Sequence, residues 1–373
     1  MSADRGRLSR IATTAWGAAR GMWASAYSSR LAAGLRGGGC AVLRYHSVND
    51  DPEWARDYVS QSIVVRPRQF DEQLTYLGER YTVVPLSHVV RAITSGSMPD
   101  PRWVAITFDD GYEDNYRFAY RLLRKHNMPA TFYVTTDCVA DAEVLWTVRL
   151  RFAVMTTTHT EILCPSITSA PIGLSSPVAR ECAVRFLTGL VKHCSRTEAN
   201  DVLAEIMDAC LPGCEPMSHR VMMTPDELRE MEQNGMTIGA HSVHHYNLPL
   251  LEDGELTDEL SGAKSFLEDE IGLCVEHFAY PNGRKDRHCD ARVATEVARC
   301  GYLSASTSIS GPAGPAHSPF GIPRVGVSAR RTDMRSFGAN LQHGRLTRPR
   351  SPSLADIERN GPRRGVAREE TGR

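Results

Sequence analysis

The sequence predicts an α/β fold in which parallel strands alternate with helices. Three observations carry this prediction. Short apolar runs typical of buried strands recur along the chain, apolar residues with helical spacing lie between them, and two polar strings each follow such a run. Parallel βα units bring the carboxyl ends of their strands to one edge, where barrels of this kind gather their catalytic groups. The alternation therefore suggests a barrel-like fold, although periodicity alone does not separate a barrel from a doubly wound sheet.

Length and composition are those of a soluble globular protein. The 373 residues are 42% hydrophobic and 23% charged, enough for one large domain or two ordinary ones. The formal net charge of -1 gives no global argument for a polyanionic partner, so no nucleic acid is expected. Ten scattered cysteines without a C-x-x-C pair predict reduced thiols rather than a disulfide framework. This favours a cytoplasmic location.

The first 38 residues are predicted to form a basic amphipathic segment. Arginines lead into apolar residues that follow helical spacing, which is typical of a helix on an anionic membrane surface. Packing of this helix on its own domain is the equal alternative. Gly17 and Arg20 interrupt the apolar run, so an exported form is less favoured. No stretch approaches the roughly 18–20 apolar residues of a membrane-spanning helix.

Strand and helix signals alternate from residue 40 to the middle of the chain. The expected strands cover 40–46, 81–85, 103–106 and 128–134. Helical spacing at 70–77 ends at Gly78, Ser87 is suited to cap a helix running to residue 93, and a further amphipathic helix is predicted over 116–126. Strand, helix and strand at this spacing indicate parallel βα units.

A helical insertion at about 139–222 interrupts the alternation. It holds predicted helices at 178–193 and 198–209, with a loop rich in Ser, Thr and Pro before them. Regularity resumes at Thr224, an N-cap with Pro225 at the first helical position and Glu227 completing a capping box. The expected elements beyond it are strands at 236–240, 277–280, 302–305 and 322–327 and helices at 258–271 and 291–299.

These signals divide the chain into three parts. Residues 1–38 are the basic segment, 39–340 form the barrel domain with its insertion, and 341–373 form a tail. The tail is rich in Arg, Pro, Ser and Gly with few large apolar residues, so it is predicted to be disordered.

Two short strings carry the chemistry. T-F-D-D-G at 107–111 and H-S-V-H-H at 241–245 each follow a strand-like apolar run. Taken singly, each has an ordinary interpretation, as a turn or helix cap and as polar loop content. One carboxylate plus two imidazoles four residues apart is a three-ligand set that leaves zinc, or a similar divalent ion, an open position for water. Found together, the strings favour a metal hydrolase.

The two strings resemble those of the NodB-type polysaccharide deacetylase family. The resemblance covers roughly residues 40 to 330 without the insertion, and it implies the irregular (β/α) barrel of that family. It also implies that Asp109 is the general base and that Asp110, His241 and His245 hold a divalent metal, with Zn²⁺ preferred. The position of His244 is variable in the matching family string.

Amide hydrolysis further needs oxyanion donors and an acid. Backbone N–H groups near Gly111 and Tyr112 are candidates for the oxyanion, and histidine suits the acid. The Tyr45-His46 string ends the first predicted strand, and it resembles a subset of exopolysaccharide deacetylases in which an early Y-H string supplies the acid. We therefore assign the acid to His46. The alternative is a histidine that only forms hydrogen bonds in the barrel mouth.

One arginine of the family pattern is missing here. Where many members have an R-P-P-Y-G-like string, this chain has Ala279 at the arginine position, followed by Tyr280 and Pro281, which we expect to bind or support substrate. Arg324 of the last strand is a candidate substitute that would lower the pKa of Asp109. An ordinary surface salt bridge is the alternative for Arg324.

The resemblance implies a metal-dependent deacetylase that removes N-acetyl groups from hexosamine units of a bacterial glycan or its precursor. One alternative is a deacylase or deformylase of a smaller amide-bearing sugar. Others are a glycan-binding barrel without catalysis and a scaffold held at the membrane by its N-terminal helix. Retention of both aspartates and both histidines argues against a purely binding role, since binding alone does not require an open metal site.

Overall fold

The computed structural model of the protein describes residues 39–140, 144–214, 217–283, 288–327, 337, 338 and 341. The predicted basic segment at 1–38 and the predicted tail beyond residue 341 lie outside these residues. Within the described part, no helix combines the length and apolarity needed to cross a membrane.

Parallel strands form the centre of the fold. In chain order the strands are β1 (Ala41–Tyr45), β2 (Ser47–Val48), β3 (Val64–Val65), β4 (Thr82–Val83), β5 (Trp103–Phe108), β6 (Thr131–Val134), β7 (Glu161–Ile162), β8 (Ile172–Gly173), β9 (Thr237–Ala240), β10 (His277–Ala279), β11 (Ser304–Ser306) and β12 (Val325–Gly326). The main sheet runs β11-β10-β9-β6-β5-β1-β12, with β4 paired to β5. All of these pairings are parallel.

The two ends of this sheet meet. Ile322, just before β12, forms a parallel bridge with Ser306 at the end of β11, while Val325 pairs with Leu43 of β1. The N–H of Thr307 donates to the Ile322 carbonyl at 2.8 Å, which extends the link. The fold is therefore the predicted (β/α) barrel and not a doubly wound sheet.

Helices follow most of the barrel strands. They are α1 (Pro67–Arg80), α2 (Leu86–Thr94), α3 (Arg121–Lys125), α4 (Asp137–Ala140), α5 (Trp146–Thr156), α6 (Pro177–Val191), α7 (Arg196–Cys210), α8 (Pro225–Gln233), α9 (Asp253–Ser265) and α10 (Ala291–Arg299). A π-helical turn, Asn115–Tyr120, leads into α3, and another, Phe266–Glu270, extends α9. The capping box predicted at Thr224 and Glu227 is present at the start of α8.

Three predicted helix boundaries are wrong. Gly78 lies within α1, which continues to Arg80 because Leu77 remains buried against the core and no positive φ is required there. Helix α2 begins at Leu86 with Pro85 as its N-cap, so Ser87 does not cap it. Helix α9 begins at Asp253 rather than at residue 258, since Glu252 and Glu255 form a capping box there.

The insertion contains one helix that the sequence analysis missed. Five consecutive residues of α5, from Leu150 to Val154, are buried, so the helix lacks the alternation of apolar and polar faces by which a surface helix is recognised. Helices α5, α6 and α7 share their own apolar cluster, and the short antiparallel pair β7 and β8 lies in the loop before α6.

The barrel interior is apolar at the amino end of the strands and polar at their carboxyl end. An interior apolar cluster, against which α2 packs, closes the amino end, and its members include Val42, Ala105, Tyr133 and Ala279. At the carboxyl end of the strands the side chains become polar and titratable. The parallel topology brings all of these groups to the same end.

Candidate active site

Three of the predicted residues form a compact ligand group at the carboxyl end of the barrel. Asp110 follows β5, and His241 and His245 follow β9. One donor atom from each lies within 4.8 Å of the other two. The Nε2 atoms of His241 and His245 are 3.4 and 3.5 Å from the same carboxylate oxygen of Asp110. All three side chains are buried.

The chemistry of these donors fits a divalent metal. His241 Nδ1 lies 2.7 Å from the carbonyl oxygen of Ala279, which can only accept, so Nδ1 carries the proton and Nε2 keeps its lone pair toward Asp110. Burial lowers the pKa of His245, which favours the neutral ring that metals bind. Two imidazole nitrogens and one carboxylate oxygen are a donor set that zinc uses in catalytic sites.

The backbone at this group is held in an uncommon conformation. Asp110, Ser242 and His245 have φ values of 79°, 65° and 61°, a region that side chains other than glycine rarely adopt. Gly111 has φ of 90°, and a Cβ there would lie 3.2 Å from Val134, so the turn after Asp110 requires glycine. Such strain persists where the surroundings determine it strongly, and it is concentrated at functional sites.

The loop carrying the two histidines is fixed by a buried carboxylate. Glu259 of α9 accepts the N–H groups of Val243 and His244 at 3.0 and 2.9 Å, and its other oxygen lies 2.5 Å from His244 Nδ1. The contact with Glu259 raises the pKa of His244. The His244 ring is thereby directed to α9, whereas His241 and His245 face Asp110. Glu259 could not be predicted from the sequence, because its position 14 residues beyond His245 gives no local signal.

We expect Glu259→Ala to weaken metal binding on the order of 10- to 100-fold, the usual effect of losing a group that supports a metal ligand. The substitution leaves the backbone N–H groups of Val243 and His244 without their acceptor, so the loop no longer fixes His245. Competition with a chelator would measure the affinity. Asp258→Ala, an exposed neighbour on α9, is the matched control. An unchanged affinity in Glu259→Ala would contradict this role.

Asp109 lies beside the ligand group and is paired with an arginine. Its two carboxylate oxygens accept from Arg324 Nη1 and Nη2 at 2.6 and 2.8 Å. Arg324 is fully buried, which excludes the surface salt bridge considered for it. Arg324 Nε donates to the Thr307 carbonyl at 2.8 Å, and Nη1 also donates to Thr107 Oγ1 at 3.1 Å, so the guanidinium is held in place.

This pairing decides the charge of Asp109. Burial alone would raise the pKa of Asp109, but the charge and hydrogen bonds of Arg324, together with His241 and His46, outweigh it, and the pKa is lowered to about 2. The carboxylate is therefore ionised at neutral pH. Ala279, at the place of the family arginine, is buried in the barrel interior, and the guanidinium reaches Asp109 from the approach to β12 instead.

His46 lies at the end of β1 beside the two aspartates. Its ring is half-buried, and within the described residues its Nδ1 has no hydrogen-bond partner. Burial lowers the pKa of His46 to about 4, while the charge of Asp110 acts in the opposite direction. The ring is therefore neutral at pH 7.

A buried polar network supports the segment around His46. Asn115 Nδ2 donates to the His46 carbonyl at 2.6 Å and to Asp114 at 2.8 Å. The Asp114 carboxylate accepts the Ser47 hydroxyl at 2.5 Å, and Trp54 Nε1 donates to the same hydroxyl at 3.0 Å. Burial raises the pKa of Asp114 to about 7. Asp114 and Asn115 were not predicted, although both are polar residues just beyond the acidic string.

The remaining predicted residues line or support the same end of the barrel. Tyr112 is buried, and its ring packs edge-on against Trp54. The Gly111 carbonyl accepts the N–H of Met223, so the turn after Asp110 is joined to the end of the insertion. Tyr280 is buried with its hydroxyl donating to the Phe320 carbonyl at 2.9 Å, and Pro281 beside it is also buried. Its burial and this hydrogen bond indicate that Tyr280 supports the site.

Comparison with known proteins agrees with this arrangement. A family model described as "Polysaccharide deacetylase" matches residues 96–169 and 198–304. Over these two segments the chain matches the polysaccharide deacetylase family. Its matched segments contain Asp109, Asp110, His241 and His245, and they leave out part of the insertion. YxkH of Bacillus subtilis (strain 168), named as a candidate polysaccharide deacetylase, is 21% identical over 302 residues, which are 81% of this chain and 75% of YxkH.

Solved structures share the fold. The Streptococcus pyogenes deacetylase PplD, determined in complex with acetate, superposes with a TM-score of 0.52 at 19% identity, over 87% of this chain and 98% of PplD. IcaB from Ammonifex degensii superposes with a TM-score of 0.51 at 17% identity, over 82% of this chain and 99% of IcaB. At these identities the likeness establishes the fold alone.

Proposed function

We propose that this protein is a metal-dependent hydrolase that removes N-acetyl groups from hexosamine units of a bacterial glycan or its precursor. The observation that carries the proposal is the buried group of Asp110, His241 and His245 directly beside the ionised Asp109. A group built only to bind sugar would not need three metal-ligating side chains in a strained backbone, nor a carboxylate kept charged next to them.

Each residue of the site has a separate role in the proposed amide hydrolysis. Asp110, His241 and His245 would hold a divalent ion, zinc by preference, which when bound supplies a Lewis acid that polarises the acyl oxygen and activates water. Asp109 takes the proton from the attacking water, since it is ionised and oriented by Arg324. The water oxygen bonds to the acyl carbon, the C–N bond breaks, and acetate and a free amine leave.

His46 is the proposed donor to the departing nitrogen. With a pKa of about 4 its ring is neutral in the resting protein, so the proton has to be acquired during the reaction. The proton that Asp109 removes from water is one such source. The buried network of Asn115, Asp114 and Ser47 fixes the backbone from which the ring projects.

The proposed ligand set predicts a contrast between two adjacent histidines. We expect His245→Ala to lose both bound metal and acetate release, because one of three donors is removed. The matched control His244→Ala should keep most of each, since that ring faces Glu259. Elemental analysis of the purified proteins, with acetate release from N-acetylglucosamine oligomers, measures both quantities. Full metal occupancy in His245→Ala would refute the assignment.

The same assay separates the alternatives. Acetate from the monomer but not from oligomers would favour a deacylase of a smaller amide-bearing sugar. Oligomer binding with no acetate released by the metal-loaded protein would favour a glycan-binding barrel without catalysis.

A further inference from the structure

The helical insertion is fastened to the loop that carries His245. Trp146 Nε1 of α5 donates to the His245 carbonyl at 3.2 Å. The hydroxyl of Tyr246 donates to Asn200 of α7 at 2.5 Å, and Asn247 Nδ2 donates to the Lys192 carbonyl at 3.0 Å. Three consecutive residues therefore contact three different insertion helices or their ends. The carboxyl end of α6, where Lys192 is the C-cap, is thus fixed beside the ligand group.

The side chain of Lys192 is half-buried and acts on that group. The negative charge of Asp110 acts on the Lys192 ammonium. The positive charge of Lys192 acts in turn on His245. Within the described part of the chain, no hydrogen bond or ion pair is formed by the ammonium. Burial lowers the pKa of Lys192, and the charge of Asp110 opposes that change.

The buried charges of the site are already matched without this lysine. Arg324 pairs directly with Asp109. Arg44 of β1 donates a hydrogen bond from Nη1 to the Ser308 hydroxyl. The negative charges of Asp109 and Asp110 act on the Arg44 guanidinium. Among the side chains, two arginines thus face two aspartates, and Lys192 adds a positive charge in excess, which the divalent ion of the proposed function would increase. Partial burial of an unpaired cation costs free energy unless a counter-charge arrives.

We propose that Lys192 binds an anionic group, a carboxylate or a phosphate, on the substrate next to the acetamido sugar. This inference rests on the proposed function, because it adds a substrate class to the same site. An ammonium is a compact charge with three donors, suited to either anion. Because the insertion carries Lys192, the insertion determines the specificity for an anionic substrate.

The test compares neutral and anionic N-acetylglucosamine compounds. The probes are the N-acetylglucosamine tetramer, a tetrasaccharide of alternating N-acetylglucosamine and glucuronic acid, and N-acetylglucosamine 1-phosphate. We expect the metal-loaded wild-type protein to bind at least one anionic probe more tightly than the tetramer. Lys192→Met should weaken that binding roughly tenfold and raise KM with little change in kcat, as for loss of one charged hydrogen bond. Binding of the tetramer should stay unchanged.

Controls separate this effect from damage to the fold. Lys192→Arg keeps the charge and should restore most of the preference, and Arg185→Met removes an exposed cation from the same helix and should have no effect. Calorimetry on the metal-loaded Asp109→Asn protein gives Kd values without turnover. Failure of all probes to release acetate, with the charge preference intact in calorimetry, would refute the proposed function but support the role of Lys192.

Three outcomes would overturn the role of Lys192. The first is acetate release without any preference for an anionic probe, and the second is an equal loss on all probes in Lys192→Met. The third is that Lys192→Met weakens inhibition by acetate while leaving the preference among probes unchanged, because the ammonium would then bind the product and not the substrate.

Discussion

Asp109→Asn is expected to fold, retain its metal and lose turnover by a factor on the order of 10²–10⁴, the usual contribution of a general base. The amide oxygen of asparagine still accepts from Arg324, so the side chain remains beside the ligand group. The amide cannot take up a proton at neutral pH. Metal content, thermal unfolding and initial rates of acetate release should be measured on the same preparation.

The control for Asp109→Asn is a substitution of the same kind outside the site. Asp258→Asn changes an exposed carboxylate and should leave the rate unchanged. Near-normal turnover in Asp109→Asn, with metal bound, would mean that the base lies elsewhere. Loss of metal together with turnover would indicate that the Asp109–Arg324 pair serves the ligand group and not the proton transfer.

The strings at 107–111 and 241–245 could be placed from the sequence because the fold determines them locally. Each directly follows a buried strand, β5 or β9, and parallel strands end at the same side of a barrel. The distances between Asp110 and the two histidines follow from that register. The spacing of the two histidines within one loop then brings both rings to one carboxylate oxygen.

Residues that act from a distance could not be placed in this way. Arg324 reaches Asp109 across 215 positions of the chain, and its sequence context is equally that of a surface residue. Glu259 holds the loop of His245 from α9, and the backbone of Lys192, at the end of α6 in the insertion, contacts Asn247 of the same loop. A charged residue at such positions is ordinarily exposed. Their roles follow from which helix packs on which loop, and no periodicity in the sequence encodes that packing.

Helix α5 illustrates the same limit for the fold. Its buried run has no amphipathic pattern because neighbouring insertion helices and the segment around Trp54 cover it on several sides. By contrast, α10 was predicted with both of its boundaries, since Asp290 caps it and one face alone is buried. The sequence thus predicts helices with one buried face, including α6 and α7 of the insertion, better than a helix that is buried on several sides.

His46→Ala is the second substitution for which a loss of turnover on the order of 10²–10⁴-fold is expected, with metal retained. His46 is not a member of the ligand group, and Asn115 holds its backbone carbonyl, so removal of the ring should leave the loop in place. What is lost is the proton for the departing amine. The rate of acetate release from an N-acetylglucosamine oligomer and the metal content should be measured together.

A change of leaving group separates proton donation from a structural role of His46. An aryl acetate ester releases a phenolate that needs far less help from an acid than an amine does, whereas attack by water is common to both substrates. If His46 protonates the departing nitrogen, His46→Ala should be impaired far less on the ester than on the amide. Asp109→Asn serves as the contrast, because loss of the base should slow both substrates. If His46→Ala impairs ester and amide hydrolysis equally, His46 does not donate the proton. It would then be a histidine that only forms hydrogen bonds in the barrel mouth.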